Sequence, residues 1–323
     1  MENSTRETTG AEQKGLAFAF LTALISGISV FMNGIAVKLT DASAYTIMKN
    51  IGALIFIAAI IFAFSEIRHF RNLSRRQWAM LLLIGIVGGS VPFLMFFEGL
   101  KMEGAAVSSF IYRSLFLFAG VFGYLILSER PEPKHVAAAF AILCGNALLV
   151  SGQITFGTGQ LLVLGATVLW ALEYAISRKL LIDVSPNANI TPRVVMVSRL
   201  FFGSIALLAL LAWQGGLSSL ISPSAMSATV LEWLVVTSLL LAFFMSSWYN
   251  ALKRLPLLKA AAVLSIGGIV TAALELLFHG KAILPLQAFG LALVLGGAVA
   301  MVGFADALGS ISTLRKTAKE LIC

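Results

Sequence analysis

The 323-residue chain is 59% hydrophobic and only 12% charged, with a mean hydropathy of +0.94, which excludes a water-soluble globule, whose charged share is about a quarter. Its net charge of +8 does not point to a nucleic-acid partner, because the basic residues stand singly or in small groups between apolar runs, the way membrane topology is encoded. Cys144, inside an apolar run, and Cys323, at the last position, make no spaced pair of the kind a disulfide framework needs.

In chain order, Met1 to Lys14 is polar with both charge signs and reads as a cytoplasmic tail, residues 1–14. The apolar run that follows is too long for a signal-peptide core and lacks a clear small-residue cleavage site, so it is expected to stay in the mature protein. Transmembrane helices are predicted at 16–37, 43–64, 77–97, 104–127, 135–152, 158–179, 192–213, 229–252, 257–278 and 284–306. Each is long enough to cross ~30 Å of hydrocarbon at ~1.5 Å per residue. The connections are short and hold turn formers and charges: Thr40-Asp41, Arg71-Asn72-Leu73-Ser74, Arg130-Pro131-Glu132-Pro133, Ser185-Pro186-Asn187 and Gly215-Gly216. No segment calls for a strand. The predicted fold class is an all-α membrane protein with ten transmembrane helices.

With ten spans, one side of the membrane holds both tails and every second connection. That side collects Arg6, Lys14, Arg68, Arg71, Arg75, Arg76, Arg130, Lys134, Arg178, Lys179, Arg193, Lys253, Arg254, Lys259, Arg315, Lys316 and Lys319, against Lys38, Lys101 and Lys281 on the other. Such a bias places both termini in the cytoplasm, with a bacterial or archaeal cytoplasmic membrane as the expected location.

The two halves resemble each other. Phe97-Glu98-Gly99-Leu100-Lys101 recurs 152 positions later as Tyr249-Asn250-Ala251-Leu252-Lys253, and Gly145 of the fifth span matches Gly297 of the tenth. Five is odd, so the second half enters the membrane from the opposite side, and the copies are expected to form inverted repeats, residues 15–153 and 154–307, followed by a cytoplasmic tail, 308–323. Inverted repeats give many secondary carriers two openings, because exchanging the conformations of the halves turns an outward-open cavity into an inward-open one.

Trp170-Ala171 with Lys179 in span 6, Arg199 early in span 7, Tyr249-Asn250-Ala251-Leu252 closing span 8 and Leu127-Ser128-Glu129-Arg130 ending span 4 together make the chain similar to the drug/metabolite transporter superfamily, in particular its EamA-type members with two five-helix repeats. The resemblance covers nearly the whole length and implies a carrier of amino acids, nucleobases or other metabolites, often outward. The chain departs from the family pattern at Ser29, where a tryptophan would correspond to Trp170, at Lys49, where arginine is usual, and at Lys281, where a glutamate matching Glu129 is often found. The proline often found midway along spans 4 and 9 is absent, with Phe116 and Gly268 near its place.

A charge near the bilayer centre costs ~3 kcal/mol or more, so ionisable residues inside spans are where function is sought. The candidates for substrate binding or coupling are Lys49, Arg113, Glu173, Arg199 and Glu275. The plainer reading for each is mutual pairing or snorkelling to an interface. Lys49 and Arg199 occupy equivalent depths in the two repeats, toward the outer and inner sides. Glu173 is expected to pair with Arg199, while Asn33 faces Lys49 as an uncharged acceptor and leaves that cation for a substrate carboxylate. Arg113 lies near the middle of span 4 beside Tyr112, and Glu275 lies one turn from the outer end of span 9. Tyr112, Trp170, Tyr174 and Trp248 stand near these charges and are candidates to stack against a substrate, although packing explains a buried ring as well. Gly85 and Gly89 form a GxxxG in span 3, as close helix packing would require. No His, Cys or carboxylate cluster has metal-ligand spacing, no phosphate-cradling GxxxxGK[ST] occurs, and neither a catalytic residue, a metal nor a cofactor is expected.

The sequence therefore predicts a secondary carrier, not an enzyme. Its expected partners are a small polar metabolite, an amino acid or another carboxylate-bearing compound, the surrounding lipid, and a proton as the candidate coupling ion at Glu173. Export is the expected direction, and the mechanism alternating access. The alternatives are a flippase for a lipid or lipid-linked sugar and a facilitator without proton coupling.

Overall fold

In a computed structural model of the chain, residues 2–63, 68–71, 73–149, 157–183, 190–280 and 284–303, together with 309 and 313, are described. Asn72, Ser185-Pro186-Asn187, Lys281, the predicted repeat boundary at 153/154, the tail boundary at 307/308, and Arg315, Lys316 and Lys319 lie outside these residues.

The described residues are helical and contain no strand. In order they form α1 (Glu2–Ala36), α2 (Ala42–Ala63), α3 (Arg68–Arg71), α4 (Arg75–Gly89), α5 (Val91–Arg113), α6 (Leu115–Leu127), α7 (Pro133–Leu149), α8 (Thr158–Leu181), α9 (Pro192–Trp213), α10 (Ala228–Arg254), α11 (Leu257–Leu264), α12 (Gly267–His279) and α13 (Pro285–Val302). Local chemistry starts them. Ser74 and Gln77 cap α4 reciprocally, Gln77 N donating to Ser74 Oγ at 3.2 Å and Ser74 N to Gln77 Oε1 at 2.8 Å. Thr191 caps α9 through Val194 N (3.3 Å) ahead of Pro192. The segment read as an N-terminal tail forms the first turns of α1 from Glu2 on, and the Glu12 to Lys259 ion pair at 2.6 Å ties the end of that segment to α11.

Among the described residues, eight helical stretches are long and apolar enough to cross a membrane, and Pro133–Leu149 is a shorter apolar helix. Leu125, Phe140, Leu277 and Phe289 are exposed on the outside of the bundle, which suits a surface facing lipid. This is a multi-pass integral membrane protein. The stretch Arg75–Leu127 is 53 residues long and would reach about 80 Å if straight, more than twice the hydrocarbon thickness. It is interrupted at Ser90 (φ −124°, ψ −87°), just before Pro92, and at Gly104, whose φ of +80° lies in the left-handed region.

Spans 4 and 9, expected to be continuous, are also broken. Between α5 and α6 the Ser114 hydroxyl donates to Ile111 O at 2.7 Å, and between α11 and α12 Ser265 Oγ bonds back to Ala261 O at 3.3 Å. Such back-bonding competes with the regular helical ladder. The breaks fall one repeat period apart in the sequence and meet in space, where Arg113 Nη1 donates 2.8 Å to Leu264 O, a carbonyl at the end of α11.

Glycines let the helices touch. Gly89 of α4 and Gly203 of α9 cross so closely that a Cβ on Gly89 would lie 2.4 Å from Arg199 O and one on Gly203 2.6 Å from Gly89 O; Gly145 of α7 and Gly290 of α13 each face the other's carbonyl at 2.6 Å. Because the obstacle at Gly89 is backbone, Gly89→Val is expected to destabilise the fold by at least the ~1–3 kcal/mol typical of overpacking. A lowered Tm in detergent is the check; an unchanged Tm would refute this tight crossing.

Candidate functional site

The interior of the bundle holds a partly open cavity of about 50 Å³ among α1, α2, α5, α8, α9 and α10, room for a few waters. Half of its lining residues are aromatic, and two cations, Lys49 and Arg199, stand among them. Of the residues singled out from the sequence, Asn33, Lys49, Tyr112, Trp170, Tyr174 and Arg199 line it; Arg113, Glu173, Trp248 and Glu275 do not.

Lys49 is 2% exposed and donates from Nζ to Asn33 Oδ1 at 2.9 Å. The same oxygen accepts the Tyr45 hydroxyl at 2.6 Å, and that hydroxyl lies 2.9 Å from Thr237 Oγ1. The ammonium also sits 4.6 Å from the Phe97 ring centroid. Among the described residues no carboxylate lies within ion-pair distance of Lys49. Among those residues its charge is met by an amide oxygen and a ring.

Arg199 donates from Nη2 to Gly88 O at 2.9 Å, and its Nε lies 3.5 Å from Glu173 Oε2 without hydrogen-bond alignment. Nη1 is buried with no hydrogen-bond partner. Glu173 is fully buried behind the wall; its Oε1 accepts from Tyr249 OH (2.8 Å) and from Ser177 Oγ, whereas Oε2 accepts no hydrogen bond. The ion pair is therefore close but incomplete, with donor capacity left on the arginine and acceptor capacity on the glutamate. Gly88 O also accepts Trp170 Nε1 at 2.9 Å, fixing that ring in the wall. A Cβ on Gly88 would lie 2.3 Å from Glu173 Cγ, so the absence of a side chain lets α4 and α8 approach at this point.

Arg113 turns away from the cavity to the helix breaks, with Nη1 also 3.2 Å from Ser26 Oγ, while its Nε and Nη2 have no hydrogen-bond partner. It is held as a peg among α1, α5 and α12. Glu275 is 3.0 Å from His279 Nδ1, one turn along α12. Trp248 is fully buried and packs edge-on against Tyr174 at 4.9 Å, supporting the wall from behind. Sequence reasoning missed Phe93, Phe96, Phe97 and Phe244 in the lining, and Ser177 and Tyr249 as partners of Glu173. The Tyr249-Asn250 motif drew notice as a repeat marker; nothing in its spacing marked the hydroxyl as a carboxylate partner.

The EamA-like transporter family model matches residues 13–151 and again residues 157–303. The chain belongs to the EamA-like transporter family. This family lies within the drug/metabolite transporter superfamily. Among curated relatives, an uncharacterized transporter of Haemophilus influenzae is 24% identical over 52% of this chain and 56% of its own, so the alignment spans little more than half of that relative. An uncharacterized transporter in the cobO 3' region of Sinorhizobium sp is 25% identical over 41% of this chain and 93% of its own. A protein known from its crystal structure has the same fold, with a TM-score of 0.68 at 18% identity over 93% of this chain and 98% of that one. The cavity with its two cations is thus set in an EamA transporter fold.

Proposed function

We propose that this EamA protein is a secondary carrier for a small carboxylate-bearing metabolite, held between Lys49 and Arg199. With a turn at Gly104 dividing spans 3 and 4, and with α5–α6 and α11–α12 each counted as one broken span, the chain makes ten crossings in two inverted five-helix halves and has both termini in the cytoplasm. Alternating access then comes from the halves exchanging conformations around the cavity, and export is the proposed direction. One observation carries the reading. Two buried cations face a single aromatic-walled space, one without a carboxylate partner and the other with an unpartnered Nη1. Buried cations are costly in a membrane, and a ligand carboxylate between them would lower that cost through charge-assisted hydrogen bonds. The aromatic walls suit the apolar part of the solute.

Thermal-shift measurements on the purified protein with amino acids, nucleosides, organic acids and cationic drugs test the substrate class. A carboxylate-bearing compound is expected to raise Tm by mass action. Shifts confined to nucleosides or cations would contradict it. Cysteine labelling tests the topology, with Arg71 and Pro131 expected to be accessible from the cytoplasm and Asp41, Gly216 and Gly280 from outside.

A further inference from the structure

Lys49 and Arg199 line the central cavity, and no aspartate or glutamate does. A third cation, Arg113, lies behind Tyr112, its guanidinium 5.2 Å from that ring centroid. Within ion-pair distance of these three, the only carboxylate among the described residues is Glu173, which is buried behind the wall and approaches Arg199 alone. The surroundings of the cavity are therefore positive. Its aromatic faces are committed as well. Lys49 Nζ stands 4.6 Å from the Phe97 centroid, and Arg199 Cζ stands 5.4 Å from that of Phe93 and 5.7 Å from that of Tyr174. Phe96 and Trp170 pack on each other at 5.2 Å, and Phe244 stacks on Trp248. The polar side chains are engaged too: Asn33 Oδ1 accepts from Lys49 and Tyr45, Ser29 Oγ from Asn33, and Ser26 Oγ from Arg113.

We propose that the solute is an organic acid without an amino group, and that the cavity selects such acids over the amino acids built on the same skeleton. This rests on the carboxylate reading above and narrows it. A free carboxylate meets the Lys49 ammonium and the unpartnered Arg199 Nη1, each a charge-assisted donor. The ammonium of an amino acid would bring three donors of its own and a like charge to a place whose rings already face cations and whose side-chain oxygens already accept. Burying it there unpaired costs far more than burying the hydrogen it replaces. Discrimination thus comes from the group that the site rejects. Asn33 sets the preference, because an aspartate in its place would neutralise Lys49 and offer an ammonium a charged acceptor.

The experiment measures apparent Kd from Tm titrations of the purified protein with pairs that differ only in the amino group: propionate and alanine, 3-phenylpropionate and phenylalanine, succinate and aspartate. In each pair that binds, wild type is expected to hold the acid about tenfold or more tightly than the amino acid, the least that one unpaired buried ammonium should cost. Asn33→Asp should bring that ratio to parity or below. Lys49→Met should also lower it, because one of the charges that repel the ammonium is gone, and it decides alone if Asn33→Asp does not fold. A merely structural role for either residue would weaken both members of a pair alike and leave the ratio as it was, so an unchanged ratio in a folded variant would overturn the inference. Amino acids that bind wild type as well as their acids, or better, would overturn it too while the carboxylate reading stands. Binding by neither member of any pair would remove the carboxylate reading itself, and the inference with it.

Discussion

Lys49→Met is expected to lower transport of a carboxylate-bearing solute by about 100-fold or more in reconstituted vesicles, while leaving Tm nearly unchanged. Truncating one member of a buried charge pair costs ~2–5 kcal/mol, and each 1.4 kcal/mol is about tenfold. Folding is spared because Lys49 has no carboxylate partner among the described residues, so methionine orphans no charge; Asn33 Oδ1 keeps the Tyr45 hydroxyl. Methionine also fills a similar volume against Phe97. Solute counterflow between equal compartments is the assay, since it requires no assumption about the driving ion. Full counterflow in Lys49→Met would exclude this ammonium from solute binding.

Glu173→Gln should behave in the opposite way, with a large effect on stability. It removes the only carboxylate near Arg199 among the described residues, and an uncompensated buried charge costs ~3–5 kcal/mol. The hydrogen bonds from Tyr249 and Ser177 can persist to the glutamine oxygen, so the loss reports the charge. Glu173→Gln with Arg199→Met should recover much of it. If Glu173 is the proton-coupling group expected from the sequence, a proton arriving there weakens its hold on Arg199 and frees the guanidinium for the solute, so Glu173→Gln should also abolish transport driven by a pH gradient while exchange between equal compartments persists. Unchanged pH-driven transport would exclude proton coupling at this residue. A single variant as stable as wild type would show that the 3.5 Å approach carries little energy.

Much of this was legible in the sequence because hydrocarbon imposes length and composition. The apolar runs, the residue offsets between halves and the depths of Lys49, Glu173 and Arg199 follow from counting residues. Counting gives depth, but the direction in which a side chain points around its helix depends on its neighbours. Arg113 is the clearest case, since counting residues puts it mid-span but its guanidinium turns to the Leu264 carbonyl. The phenylalanines fail for a related reason: a ring facing lipid and a ring facing the cavity look alike in an all-apolar helix, so Phe93 and Phe96 carried no signal. The helix breaks were hidden because Ser114 and Ser265 are ordinary residues in a helix, and only their back-bonds and the Arg113 peg interrupt the ladder. Gly88 carries no mark in the sequence, because what matters is its backbone carbonyl, which accepts from both Trp170 and Arg199.

The central claim is that the space between Lys49 and Arg199 holds the solute and opens to each side in turn. Ser29 lines that cavity, and its Oγ accepts from Asn33 Nδ2 at 2.9 Å, so Ser29→Cys in a Cys144→Ala, Cys323→Ala background places one thiol at the site. The measurement is its labelling in sealed vesicles by a membrane-impermeant thiol reagent, applied from outside or from inside, with and without saturating solute. The account predicts labelling from both sides and protection by solute from both, with the two rates shifting in opposite directions as the solute gradient is reversed, because a ligand shifts an equilibrium only by binding its states unequally. Labelling from one side alone under every gradient, or rates that solute leaves untouched, would contradict it.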